Sequence, residues 1–316
     1  MLYPLKFKPQ HIPKIWGSES WQVSCYGQFV SVVSNGSFAG DTLQDLLETY
    51  MDELVGESIY SIYGNRFPIL EKFIDAQDSL SVQVHPDDMT AYDRHRESGK
   101  TEMWYVVDAA EGATLVLGFA QELDMDELQQ ALADHRLNDL LHLVPVQTGD
   151  VIFLPPGTVH ALNKGIRVAE IQQSSDLTYR IYDYDRLGLD GNMRPLHIQE
   201  ALEVIDYTVN EQPKVEYDAP ELGAVNLIED VHFTTNLLCF NQEIGRDYAP
   251  LDSFVTYMCV EGEATVYSAD CDQPPIRIAK GETVLIPACL NDIQLKPLSS
   301  SVKLLETYIQ TPRIGE

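Results

Sequence analysis

The chain is poor in positive charge. It carries 21 Lys and Arg against 49 Asp and Glu, a formal net charge of −28. Nucleic acid and anionic membranes would be repelled, so neither is expected as a partner. The same imbalance sets a condition on any anionic substrate: its site must gather its own cations. Cysteine is scarce too. Cys25, Cys239, Cys259, Cys271 and Cys289 form no CxxC pair and are odd in number. A disulfide framework and a thiolate zinc site are therefore not expected, and a cytoplasmic setting is. No stretch approaches ~20 uninterrupted apolar residues, which argues against a membrane span. The first ten residues include Lys6 and Lys8 and no apolar run of the kind a signal peptide needs. Hydrophobic residues nevertheless make up 44% of the 316, enough to bury a real core.

Periodicity organises what is present. Asp41 reads as an N-cap for a helix to about Val55, with Leu43, Leu46, Leu47, Tyr50 and Leu54 at helical spacing. The apolar run 67–75 is expected in the core. Short β-like segments follow at 80–85, 102–107, 113–118, 151–154, 167–172 and 178–184. A helical interlude at 121–143 places Met125, Leu128, Leu132, Leu137, Leu140 and Leu141 on one stripe. Another helix is expected at 197–205. Residues 207–222, polar and with two prolines, read as a linker, after which strands resume to 308. The expected domains are 1–206, including the helical segment, and 223–316. Many short strands with Gly/Pro turns indicate a mainly β sandwich or barrel. Gly149-Asp-Val-Ile-Phe-Leu-Pro155 resembles Gly281-Glu-Thr-Val-Leu-Ile-Pro287, which suggests two related barrels. The first copy runs on to His160; the second has Asp292 there and lacks the histidine.

Three segments offer metal donors. In the 79–88 segment SLSVQVHPDD, alternation puts Ser81, Gln83 and His85 on one strand face and Leu80, Val82 and Val84 on the other. A solvent-exposed edge strand would show the same pattern. In the 99–106 segment GKTEMWYV, Glu102 stands among apolar β-formers. A carboxylate there must be paired, as with its neighbour Lys100, or bound to metal. In the 149–163 segment, Gly149, Pro155, Gly157 and His160 are spaced as in the second motif of cupins. Two histidines, a glutamate and a glutamine suit zinc, and also iron, manganese or cobalt. A fourth segment, 170–186, alternates Thr178, Arg180, Tyr182, Tyr184 and Arg186. These arginines answer the need for local cations, although pairing with Asp183 and Asp185 is the plainer alternative.

Taken in order, SLSVQVHPDD, GKTEMWYV, GDVIFLPPGTVHAL and QQSSDLTYRIYDYDR resemble the type I mannose-6-phosphate isomerases (phosphomannose isomerases), and most of all their short bacterial branch. The resemblance implies two cupin-type jelly-roll β-barrels with a small helical segment. It implies one zinc ion per chain on Gln83, His85, Glu102 and His160, with Gln83 the least certain ligand. It implies an aldose–ketose isomerase acting on a sugar phosphate through an enediol. Arg180 matches a catalytic arginine and Lys100 a site lysine, Glu170 is a second candidate for moving the proton, and Ser81 and Arg186 match phosphate contacts. The chain is expected to be a monomer or a weak homo-oligomer. The rival readings are a non-catalytic cupin that binds a sugar phosphate and an iron dioxygenase.

Overall fold

The computed structural model describes residues 1–310. The backbone is mainly β. One compact unit comprises His11–Ser20 and Phe73–Val215; the other comprises Met1–Gln10, Trp21–Lys72 and the chain from 216 on. The expected domains 1–206 and 223–316 follow chain order. The units divide it by contact, and they place 21–72 with the C-terminal half.

Two strand orders recur. One sheet runs Val151–Leu154, Glu102–Ala109, Ile166–Gln173, Ile69–Ala76, Gly17–Val23, Gln10–Lys14. Its counterpart runs Leu5–Lys6, Thr283–Ile286, Val255–Glu261, Val302–Tyr308, Thr234–Phe240, Gly223–Glu229. A second sheet runs Leu141–Pro145, Thr114–Phe119, His160–Leu162, Val82–Val84, Tyr179–Tyr182, and is echoed by Ile276–Ala279, Glu263–Ser268, Asp292–Pro297, Ile244–Asp247. Each pair of sheets closes on an apolar core. Trp104, Val106, Leu115, Leu117, Ile152, Leu162 and Val168 fill the first; Tyr257, Cys259, Val266, Val284, Ile293 and Leu304 fill the second. The similar Gly149 and Gly281 segments are equivalent in register. Ile152 pairs with Trp104, which pairs with Glu170; Val284 pairs with Tyr257, which pairs with Glu306.

The expected helices are present but shorter. Thr42, not Asp41, caps the first, in a reciprocal capping box with Asp45. That helix, Leu43–Tyr50, stops at Met51, whose φ of 46° breaks the ladder before Asp52–Val55. The helix expected over 125–143 covers only Met125–Ala133. His135 turns left-handed at φ 57°, and Leu141 leaves to pair with Phe119 in a strand. Its leucine stripe still packs inward, with Leu128, Leu137 and Leu141 in one apolar cluster. The helix expected at 197–205 is Ile198–Leu202.

The second unit resolves its buried charge with protein groups. Glu306, fully buried, accepts both forks of Arg246 at 2.8 and 2.9 Å, the Tyr248 hydroxyl at 2.5 Å and the Asn236 amide at 2.9 Å. Val255 stands where the first repeat has Glu102, since each pairs with the last residue of the Gly-acid-β segment's strand. Among the described residues, no cluster of three or more metal-ligating side chains is assembled there.

Candidate metal centre

His85, Glu102 and His160 converge, all buried, with one ligating atom of each within 4.8 Å of the others. Strand pairing brings them together from distant sequence. His160 lies opposite Gln83, two residues before His85, and Glu102 lies opposite Leu154 and Gln172. Local chemistry holds the turns. Gly157 adopts φ +89° in the Pro-Pro-Gly turn and donates its N–H to His85 O at 2.9 Å; a Cβ there would lie 2.8 Å from Val204 O. Gly99 packs so closely on the Asp87–Asp88 backbone that a Cβ would meet it at 2.6 Å. Lys100 N then donates to Pro86 O at 3.2 Å, which carries Lys100 to the cluster.

The imidazoles are oriented from behind. His85 Nδ1 lies 2.9 Å from Leu177 O, and His160 Nδ1 lies 2.9 Å from Thr158 O. A carbonyl only accepts, so Nδ1 of each ring carries a proton and Nε2 is the atom turned into the cluster. His160 Nε2 thereby faces buried Glu102 Oε1 at 3.1 Å, close enough for a proton or a metal ion to join the two. Such an arrangement calls for a cation. Lys100 supplies part of it, with Nζ 2.7 Å from Glu102 Oε2 and 3.1 Å from His85 Nε2. Burial, and then Lys100, push the His85 pKa well below its ordinary value. For Glu102 burial pulls upward, but Lys100 and the two imidazoles outweigh it and hold the carboxyl well below the usual range. A divalent ion fits the same donors: two imidazole nitrogens, one carboxylate and no thiolate. Gln83 presents its amide to His160 Nε2 at 3.3 Å; turned about its axis, the same amide offers Oε1.

The other expected site residues fall into two places. Glu170 is buried beside the cluster and accepts the Trp104 indole N–H at 2.7 Å; the Trp104 ring packs edge-on against His160, centroids 5.3 Å apart. Arg180 lies opposite Gln83, its Nε donating to Ser81 Oγ at 3.3 Å and its Nη1 to Pro195 O at 3.0 Å. Burial, and then the neighbouring Arg194, lower its pKa. Arg186 does not continue the alternating face. The strand ends at Tyr182, Tyr184 and Asp185 turn left-handed, and Arg186 folds back onto Asp183 at 3.1 Å. Arg194, outside every motif, joins the same carboxylate. The signal for it in the sequence is the Asp190-Gly191 turn of the hairpin ahead of it.

Comparison with known proteins agrees with this geometry. The family model described as "Phosphomannose isomerase type I, catalytic domain" matches residues 10–113. The mannose-6-phosphate isomerase ManA of Bacillus subtilis is 34% identical over 312 residues, covering 93% of this chain and 96% of the relative. A mannose-6-phosphate isomerase of Streptococcus mutans is 41% identical over 222 residues, covering 65% of this chain and 68% of that one. A crystal structure of the Bacillus subtilis mannose 6-phosphate isomerase superposes with a TM-score of 0.86 at 28% identity, covering 98% of this chain and all of the other. A zinc-bound mannose 6-phosphate isomerase shares the fold, with a TM-score of 0.74 at 16% identity. By sequence and by fold, this chain belongs to the type I phosphomannose isomerases.

Proposed function

We propose that this chain interconverts mannose 6-phosphate and fructose 6-phosphate, with one zinc ion held by His85, Glu102 and His160 and Gln83 as a fourth donor. The observation that carries the reading is the convergence of His85, Glu102 and His160, all buried, with one ligating atom of each within 4.8 Å of the others. When bound, zinc supplies Lewis-acid polarisation of the sugar oxygens without a change of redox state. The protein supplies the rest. Arg180 offsets negative charge as the C2 proton of the open-chain aldose leaves. The C2 electron pair then forms the C1–C2 double bond while O1 takes a proton, giving an enediol; O2 then gives up its proton as its carbonyl forms, and a proton returns at C1 to give the ketose. Lys100 and Glu170 are the groups assigned to carry that proton. Ser81 and Arg186 hold the phosphate, which fixes the sugar's orientation.

A coupled assay for fructose 6-phosphate on the full chain, before and after chelation and again after zinc addition, tests this. Turnover is expected to vanish and return. Binding of sugar phosphate without turnover would favour a non-catalytic cupin, and oxygen consumption a dioxygenase.

A further inference from the structure

Asp183 is a buried carboxylate with more positive charge than it needs. Arg194 grips it through Nε at 2.7 Å and Nη2 at 2.5 Å, and Arg186 through Nε at 3.3 Å and Nη2 at 3.1 Å. One guanidinium would neutralise it. The second, in a chain of net charge −28, has beyond Asp183 the exposed carboxylate of Asp78 as a further partner. Both forks engage Asp183 through the Nε–Nη2 edge, which leaves each Nη1 edge turned elsewhere. Arg186 Nη1 lies 3.6 Å from Asp78, 65% exposed, and its guanidinium sits over the Tyr184 ring. Arg194 is also firmly placed. A hairpin closed by Leu187 and Met193 and by Gly188 N to Asn192 O returns the chain to the site. There Arg180 Nη1 donates to Pro195 O, Arg180 N donates to the His197 ring at Nδ1, and His197 N donates to Arg180 O. Arg180 in turn lies opposite Gln83, and Gln83 opposite His160. Arg180, which Pro195 joins to this cluster, thus lies two strand spacings, about 10 Å, from His160.

We propose that Arg194 is a further substrate-binding residue. With Arg186, and with Asp183 as the shared clamp that sets both planar forks, it forms a two-guanidinium cradle for the phosphate group. The proposal deepens the isomerase reading and rests on it for the identity of the sugar. The cradle itself takes any phosphate monoester or inorganic phosphate.

The test uses the full chain with Arg194→Ala and Arg194→Lys. For Arg194→Ala, the KM for mannose 6-phosphate and the dissociation constant of inorganic phosphate by calorimetry are both expected to rise roughly tenfold to a hundredfold, the loss of a charge-assisted hydrogen bond. The rise in KM is expected to exceed any fall in kcat. Arg194→Lys, which keeps the charge and loses the fork, should fall between. Phosphate constants within twofold of wild type in folded Arg194→Ala overturn the cradle. If Arg194→Ala does not fold, Arg194→Lys decides by the same constants: more than twofold weaker supports the cradle, unchanged overturns it. Calorimetry needs no turnover. A wild type that binds phosphate but isomerises nothing would therefore sink the isomerase reading and leave the cradle standing.

Discussion

Replacing Glu102 with Gln keeps the side-chain volume and removes one charge. Lys100 then loses its counter-ion in a place where its side chain is 4% exposed and Glu102 is fully buried. Breaking a buried ion pair from one side costs about 3–5 kcal/mol, because the remaining charge is stranded. Two effects reduce the cost here. The desolvation that opposes ionisation of Glu102 disappears, and the new amide oxygen still accepts from Lys100 Nζ. The lower end, about 3 kcal/mol, is therefore expected for the metal-free protein. For a unit of this size that corresponds to a fall in Tm of about 6–12 °C. Urea unfolding of chelated wild type, Glu102→Gln, Lys100→Met and the double variant measures it. The double variant, with no stranded charge, should recover most of the loss, so the two sites couple strongly. A Glu102→Gln protein within about 1 kcal/mol of wild type without metal would refute the ion-pair argument.

Two further outcomes are expected. Burial pushes the Glu71 carboxyl up to about 8, against only the hydrogen bond that Thr256 donates. Because the folded pKa is raised, its contribution is intact below about pH 4.5 and is lost at about 1.4 kcal/mol per pH unit as pH rises toward 8; Glu71→Gln should flatten that slope in urea unfolding, and an unaltered slope would count against it. Glu170→Gln keeps an acceptor for the Trp104 indole, so metal content should hold while kcat falls about a hundredfold or more. A kcat within tenfold would take Glu170 out of the proton relay and leave it as the support of Trp104 and His160.

Much of the site was legible because strand alternation is a local rule. Ser81, Gln83 and His85 share a face by period two, and the Gly149 segment delivers His160 through a turn whose glycine is required by its φ. The repeat was legible for the same reason, down to the missing histidine at Asp292. Its deeper content was not. That Glu306 answers to Glu170 and Val255 to Glu102 depends on cross-strand register, which pairs residues far apart in sequence. Helix ends were misjudged where a single backbone angle decides, at Met51 and His135. The carbonyls of Leu177 and Thr158 that fix the imidazole tautomers leave no trace in residue type. Arg194 went unread because a hairpin, not a motif, carries it to Asp183. Residues 21–72 read as part of the first domain, yet their contacts assign them to the other unit.

The most direct test is metal stoichiometry measured beside turnover, for wild type and His160→Ala. The account predicts about one zinc per wild-type chain with mannose 6-phosphate isomerase activity, and loss of both in His160→Ala, where one of the three converging donors is gone. Full turnover by metal-free protein, or by a His160→Ala variant that binds no zinc, would contradict it.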